Sequence, residues 1–345
     1  MAIQWLRCGH HVYVVSTWDG ILAACSMLYH LLLQTVKTQQ SEGVSPGQPH
    51  LLQYDLDFDS DVEKAVNDLS QAASGGSLYV IADDVESCDM WMILCDKLLT
   101  RVPRLHLWAA SCFHGDAPDG WQVEYLTRPL RSPPAVVREF EQDEMITTHR
   151  YVLPYKEGGL PDHTDGPPVR RLYHHEGQGH SGDWPGDCVK CGRKVAEFLH
   201  SLHNGVTERG IAASTTVRST SDGTTPPSVQ WRDVLVLCPY KLKDKSSMVK
   251  ELLEAGIPVR VMTDDDIEDV ATARSDVVWV ASGHRVCGLE RKVVVCVEKH
   301  QSESESSRLS IMSRCKSQLV IVVPDYSYRQ SFSSSSLSPS DFLII

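Results

Sequence analysis

Two acidic residues follow directly on an apolar run in Leu78-Tyr-Val-Ile-Ala-Asp83-Asp84-Val-Glu86. The carboxyl end of a buried strand is where an open α/β sheet presents its ligand chemistry. There Asp83 can hold a Mg2+ ion while Asp84 orients or deprotonates an attacking water; the same pair can also do no more than cap the next helix. Taken singly, Arg131 and Arg314 read as surface ion pairs, the usual state of an isolated arginine. A third group is His174-His175, His180, and the C-x2-C pair Cys188 and Cys191. Two thiolates with imidazoles nearby can close a tetrahedral zinc site, for which we take His175, His180, Cys188 and Cys191 as ligands. The alternative is a reduced pair at a helix start, with the histidines in solvent.

These residues need a frame, and short apolar runs alternating with amphipathic ones supply it. Strands are expected at Val12–Ser16, Leu51–Tyr54, Leu78–Ala82, Leu105–Ala110, Trp121–Leu126, Val169–Tyr173, Asp233–Leu237, Ile257–Val261, Val277–Ala281, Lys292–Val297 and Gln318–Pro324. Between them lie expected helices. Met1–Arg7 ends toward Gly9 in a left-handed cap, Ile21–Val36 is apolar, and Asp59–Ala73 is capped by Ser60 or Asp61. Another helix ends at Leu99, one opens at Arg131-Ser-Pro-Pro134 with proline in its first turn, and three more cover Lys194–His203, Lys243–Ala255 and Ser307–Lys316. Strand alternating with helix predicts doubly wound, mostly parallel α/β sheets. Gly, Pro, Asp and His dominate Thr147–Pro168, so the chain divides into a first domain over 1–130, a connecting helix and hinge over 131–168, a second domain over 169–325 and a Ser-rich tail over 326–345.

A chain of 345 residues with 42% hydrophobic content has enough apolar side chains for two cores. Its formal net charge of −12 confines any nucleic-acid contact to a local basic patch. The cysteines number 11 and mostly sit inside apolar runs, as Cys25, Cys95, Cys238 and Cys296 do, which points to a reducing, intracellular setting. No signal peptide is evident at the N-terminus, and the longest apolar run is broken by His30 and Gln34, so no membrane span is expected.

From Val277 to Pro324 the order is strand, Gly288-Leu-Glu-Arg291, strand, then a helix carrying Ser313-Arg-Cys-Lys316 and a strand. This order resembles motifs V and VI of superfamily 1 helicases, and the wording is similar to the helicase-like domain of the Schlafen family. The resemblance implies two RecA-like domains enclosing ATP and Mg2+, with movement on single-stranded RNA or DNA. It makes Asp83 the Mg2+ ligand and Asp84 the base, Arg131 a phosphate contact and Arg314 the arginine finger. Gly288 and Glu290 would border the nucleotide, while Ser16, Thr17, His284 and Arg285 would touch the nucleic-acid backbone. The chain departs from the pattern at Glu86, where the family has Gln or His, and after Gly115-Asp116, where the family has Gln. Nowhere does Gly precede Lys, so the Gly-Lys-Ser/Thr phosphate cradle is missing from this sequence. On the resemblance, Met1–Arg7 is the tail of the cradle's helix, the first domain is N-terminally truncated, and the chain is inactive alone. The other reading is a non-catalytic adaptor that keeps the fold to bind nucleic acid or protein.

Overall fold

The computed structural model describes residues 1–83, 85, 89–111, 120–124, 131–142, 165–175, 179–205, 229–239, 242–299 and 311–325. Asp84, Glu86, Gly115-Asp116, most of the expected hinge and the Ser-rich tail lie outside them. The structure is α/β, with two sheets in which every strand pair is parallel.

The first sheet contains β1 (Val12–Ser16), β2 (Pro49–Gln53), β3 (Ser77–Ala82) and β4 (Arg104–Ala109), in the order β2-β1-β3-β4. Alternation along β1 and β3 sends Val15, Leu78 and Val80 to one face, under α3 (Asp59–Ala72) and α4 (Asp89–Arg101). Val12 and Val14 go to the other, under α1 (Ala2–Arg7) and α2 (Leu22–Ser41). The helix α1 runs out into Gly9 at φ +83, the left-handed position that glycine fills without strain. At α3 the expected cap is replaced. Phe58 is the N-cap, and its ring offers no acceptor for a cap bond; the Asp61 carboxylate instead accepts the N–H of Asp55 at 3.0 Å and fastens the preceding turn. Trp121–Glu124 is irregular rather than extended, and the remainder of that expected strand lies outside the described residues.

The second sheet is wider. It contains β5 (Arg170–His175), β6 (Val234–Cys238), β7 (Val259–Val261), β8 (Val278–Ser282), β9 (Arg291–Val297) and β10 (Cys315–Asp325), in the order β5-β10-β9-β6-β8-β7. Its central strands read as continuous apolar runs because helices cover both faces. One face packs on α6 (Val189–His203) and α7 (Ser247–Glu254). The other packs on α5 (Pro134–Glu141), on α8 (Ile267–Thr272) and on Ala23 and Met27 of α2. Three boundaries differ from expectation, each for a local reason. The start of α6 moves back to Val189 because Cys188 serves as its cap, and α7 waits for Ser246, whose Oγ accepts the Val249 N–H at 3.4 Å. In the expected helix 307–316, only Ile311 and Met312 are helical among the described residues. Arg291 draws the following backbone into the sheet, pairing with Cys315 and donating its N–H to the Arg314 carbonyl.

Helix α2 joins the two halves. The stretch Asp19–Ser41 is long and apolar enough to cross a membrane by length and composition, and here Ala23, Ala24, Cys25, Leu32 and Val36 are buried within the protein. The turn ahead of it, Asp19–Ile21, meets the 3-10 turn Gly283–Val286 of the second half, and the Cys287 N–H donates to the Gly20 carbonyl at 3.0 Å. A Cβ on Gly20 would stand 2.2 Å from the His284 carbonyl oxygen and 1.9 Å from the Trp18 ring. Gly20→Ala is therefore expected to cost about 1–3 kcal/mol. Urea unfolding checks this, and an unchanged midpoint would show that the halves are not docked through this turn.

Candidate functional site

Asp83 follows β3 directly, so its carboxylate stands at the carboxyl end of the first sheet. The crossover from β8 to β9 brings Gly288 over it. At φ +78, a Cβ on Gly288 would lie 3.6 Å from Asp83 Oδ2 and only 2.7 Å from the Ala24 Cβ. Glycine is needed there both for its backbone conformation and for lack of room. Two residues further, Glu290 Oε2 pairs with Arg131 Nη1 at 2.5 Å. Ser132 donates its hydroxyl to the Ser313 carbonyl at 3.2 Å, and the Arg314 carbonyl accepts the Arg291 N–H at 3.0 Å. Asp83, Gly288, Glu290 and Arg131 are thus gathered where the first sheet's carboxyl end meets the start of β9, and the backbone of Arg314 adjoins them at the start of β10. Asp84, the expected base, lies outside the described residues.

Arg314 is the unusual member. It is 5% exposed, its Nε has no hydrogen-bond partner, and it forms no ion pair among the described residues. A buried guanidinium without a counter-charge is costly. Its neighbour Arg291 is buried as well, but its two terminal nitrogens donate to the Val270 and Glu290 carbonyls. Burial holds the Arg291 pKa below the usual arginine value, against the opposing pull of Asp233.

The residues expected on a nucleic-acid backbone fall in two settings. Ser16 and Thr17 are interior: the Ser16 hydroxyl donates to the Trp18 carbonyl at 2.9 Å, and the Ser16 and Thr17 carbonyls accept N–H bonds from Tyr54 and Leu56. The loop after β2 thereby closes over them. His284 is exposed, and Arg285 pairs with Asp264.

On the far side of the second sheet, at the end of β5, a four-residue group assembles from His174, His180, Cys188 and Cys191, with one ligand-type atom of each within 4.8 Å of the others. His174 takes the corner expected of His175, because successive strand residues point to opposite faces and His174 is the one directed inward. His180 Nδ1 is 3.3 Å from Cys188 Sγ and 3.5 Å from Cys191 Sγ, and His174 Nδ1 is 3.5 Å from Cys191 Sγ. Burial, then the neighbouring Cys188, pushes the Cys191 thiol up to about 12. Burial, then His174, lowers His180 to about 4. At neutral pH and without a metal, both of these groups are uncharged.

No family model matches the chain, and no curated protein matches it. Among solved structures, the helicase nonstructural protein 10 of an arterivirus is 10% identical, with a TM-score of 0.31 over 93% of this chain and 61% of that one. The PRRSV helicase is 9% identical, with a TM-score of 0.32 over 96% of this chain and 55% of that one. A DEAD box protein from the hyperthermophile Methanococcus jannaschii is 9% identical, with a TM-score of 0.31 over 94% of this chain and 77% of that one. The chain therefore spans less than two thirds of the first two. Likeness at this level carries no functional information.

The side-chain geometry makes a direct prediction about Arg314. Replacing a buried charge that has no ion pair among the described residues by an apolar side chain of similar length relieves its desolvation, so Arg314→Met should be about 1–4 kcal/mol more stable than the parent in anion-free buffer. Urea unfolding in chloride-poor solution measures it. A variant less stable than the parent would mean that the guanidinium is already compensated within the fold.

Proposed function

We propose that the chain is the helicase-like part of an ATP-dependent motor, with nucleotide seated between the two parallel sheets and single-stranded RNA or DNA as the track. The observation that supports this is the buried Arg314, which forms no ion pair among the described residues and whose backbone adjoins the start of β9, beside the Arg131–Glu290 pair. A phosphate group supplies the charge that Arg314 lacks, through charge-assisted bonds stronger than neutral ones. Arg131 is more than half exposed in its pair with Glu290. An ion pair of that kind contributes only about 0–1 kcal/mol, so Arg131 can leave Glu290 for a phosphate oxygen at little cost. Asp83 would hold Mg2+, which neutralises charge between phosphates, and Asp84 would act on the attacking water. At Gly288 the missing side chain lets backbone approach the nucleotide. Exposed His284 would meet the track, together with Arg285 once it is released from Asp264. An intracellular setting, in which the cysteines stay reduced, belongs to the same proposal.

This sequence has no Gly-Lys cradle. By itself the chain is therefore expected to bind nucleotide through the Arg314 side and to hydrolyse it poorly. Thermal unfolding with MgATP tests the proposal. ATP at ten times its Kd stabilises the folded chain by about 1.4 kcal/mol, and Arg314→Met removes that response. An equal response in both proteins, or none in the parent, overturns the nucleotide reading. Single-strand binding without any response to ATP would favour a non-catalytic adaptor, in keeping with the missing cradle.

A further inference from the structure

We propose that His174, His180, Cys188 and Cys191 bind one Zn2+ ion in a closed tetrahedral site that fastens the end of β5 to the start of α6. The inference is independent of nucleotide binding and rests on different residues. Zn–S bonds near 2.3 Å and Zn–N bonds near 2.0–2.1 Å place tetrahedral ligand atoms about 3.3–3.8 Å apart. The observed Sγ to Nδ1 separations of 3.3, 3.5 and 3.5 Å are of that size. The four groups come from two elements and the segment between them: His174 from β5, His180 from the connection, and Cys188 and Cys191 from the cap and first turn of α6.

The surroundings support a thiolate pair. The Cys191 N–H donates to Cys188 Sγ at 3.4 Å, an orienting bond of the kind that surrounds metal ligands. Two thiolates, two neutral imidazoles and Zn2+ sum to zero charge, which suits a buried position. A redox-active C-x-x-C pair at a helix start is the competing use of the same motif, and such cysteines are partly exposed. Here Cys188 and Cys191 are 0% exposed and His174 is 1% exposed, as in structural zinc sites without an open coordination position. The fastening matters because β5 is an edge strand, paired only with β10 among the described residues. Its other links to α6 include Arg170 over the Phe198 ring at 4.8 Å and Leu172 in the core that Val195 and Leu199 share.

The full chain, purified without chelator, is tested by elemental analysis, with one zinc per chain expected. Cys191→Ser and His174→Ala should each lose at least tenfold in zinc affinity and unfold at lower temperature, while His175→Ala keeps the metal. If the first two variants fail to fold, substitution of Co2+ into the parent provides the check, and the strong visible bands of a tetrahedral sulfur and nitrogen site are expected. A parent chain free of zinc that gives no such bands with Co2+ overturns the proposal. So does a Cys188–Cys191 disulfide under reducing conditions, or retention of zinc by His174→Ala with its loss in His175→Ala.

Discussion

Everything in this structure depends on two backbones coming close enough for one N–H to reach one carbonyl, Cys287 to Gly20. The contact is possible because glycine stands on the first half at 20 and on the second at 288, where a methyl group would collide with Trp18, the His284 carbonyl or Ala24. Hydrophobic burial holds each sheet together, and crosses between the halves where Ala23 and Met27 of α2 and Cys287 pack. The glycines set how near the sheets approach, and hence whether Asp83 and the residues at the starts of β9 and β10 share one space.

A second constraint follows from that approach. With the halves docked, the chain after Met312 turns inward and carries Arg314 out of water. Among the described residues Arg314 therefore has no ion-pair partner, and near its backbone stands an exchangeable pair, Arg131 with Glu290. Local destabilisation of this kind is a common feature of binding sites, because the ligand supplies what the protein leaves out.

Much of the frame was legible from sequence, since strand positions follow from apolar runs that need no knowledge of their partners. Val12–Ser16 was placed exactly as observed, and β3 and β9 to within one residue. What escaped was decided by contacts remote in sequence. The start of α6 depends on a cysteine acting as cap, the end of the 307–316 segment on pairing with Arg291, and the choice of His174 over His175 on which face of β5 turns inward. One position along a strand separates a ligand from a bystander, and spacing alone does not fix it. Likewise the sequence marks Arg314 as an arginine in a suggestive order, but that it is buried with no ion pair among the described residues depends on the fold.

Helix α2 runs 20 residues, about 30 Å at 1.5 Å per residue. It lies along the first sheet while its sides also meet α8 and the 283–286 turn, with His30 Nε2 3.6 Å from Glu268 Oε1. A rigid rod gripped by both halves resists opening like a book, since gaping would strip one flank of apolar cover. It tolerates sliding, in which side chains exchange neighbours along a ridge while staying dry. Of the two displacements, a shear along α2 would therefore cost less apolar cover than a hinge, until it broke the Cys287–Gly20 bond at the helix's near end.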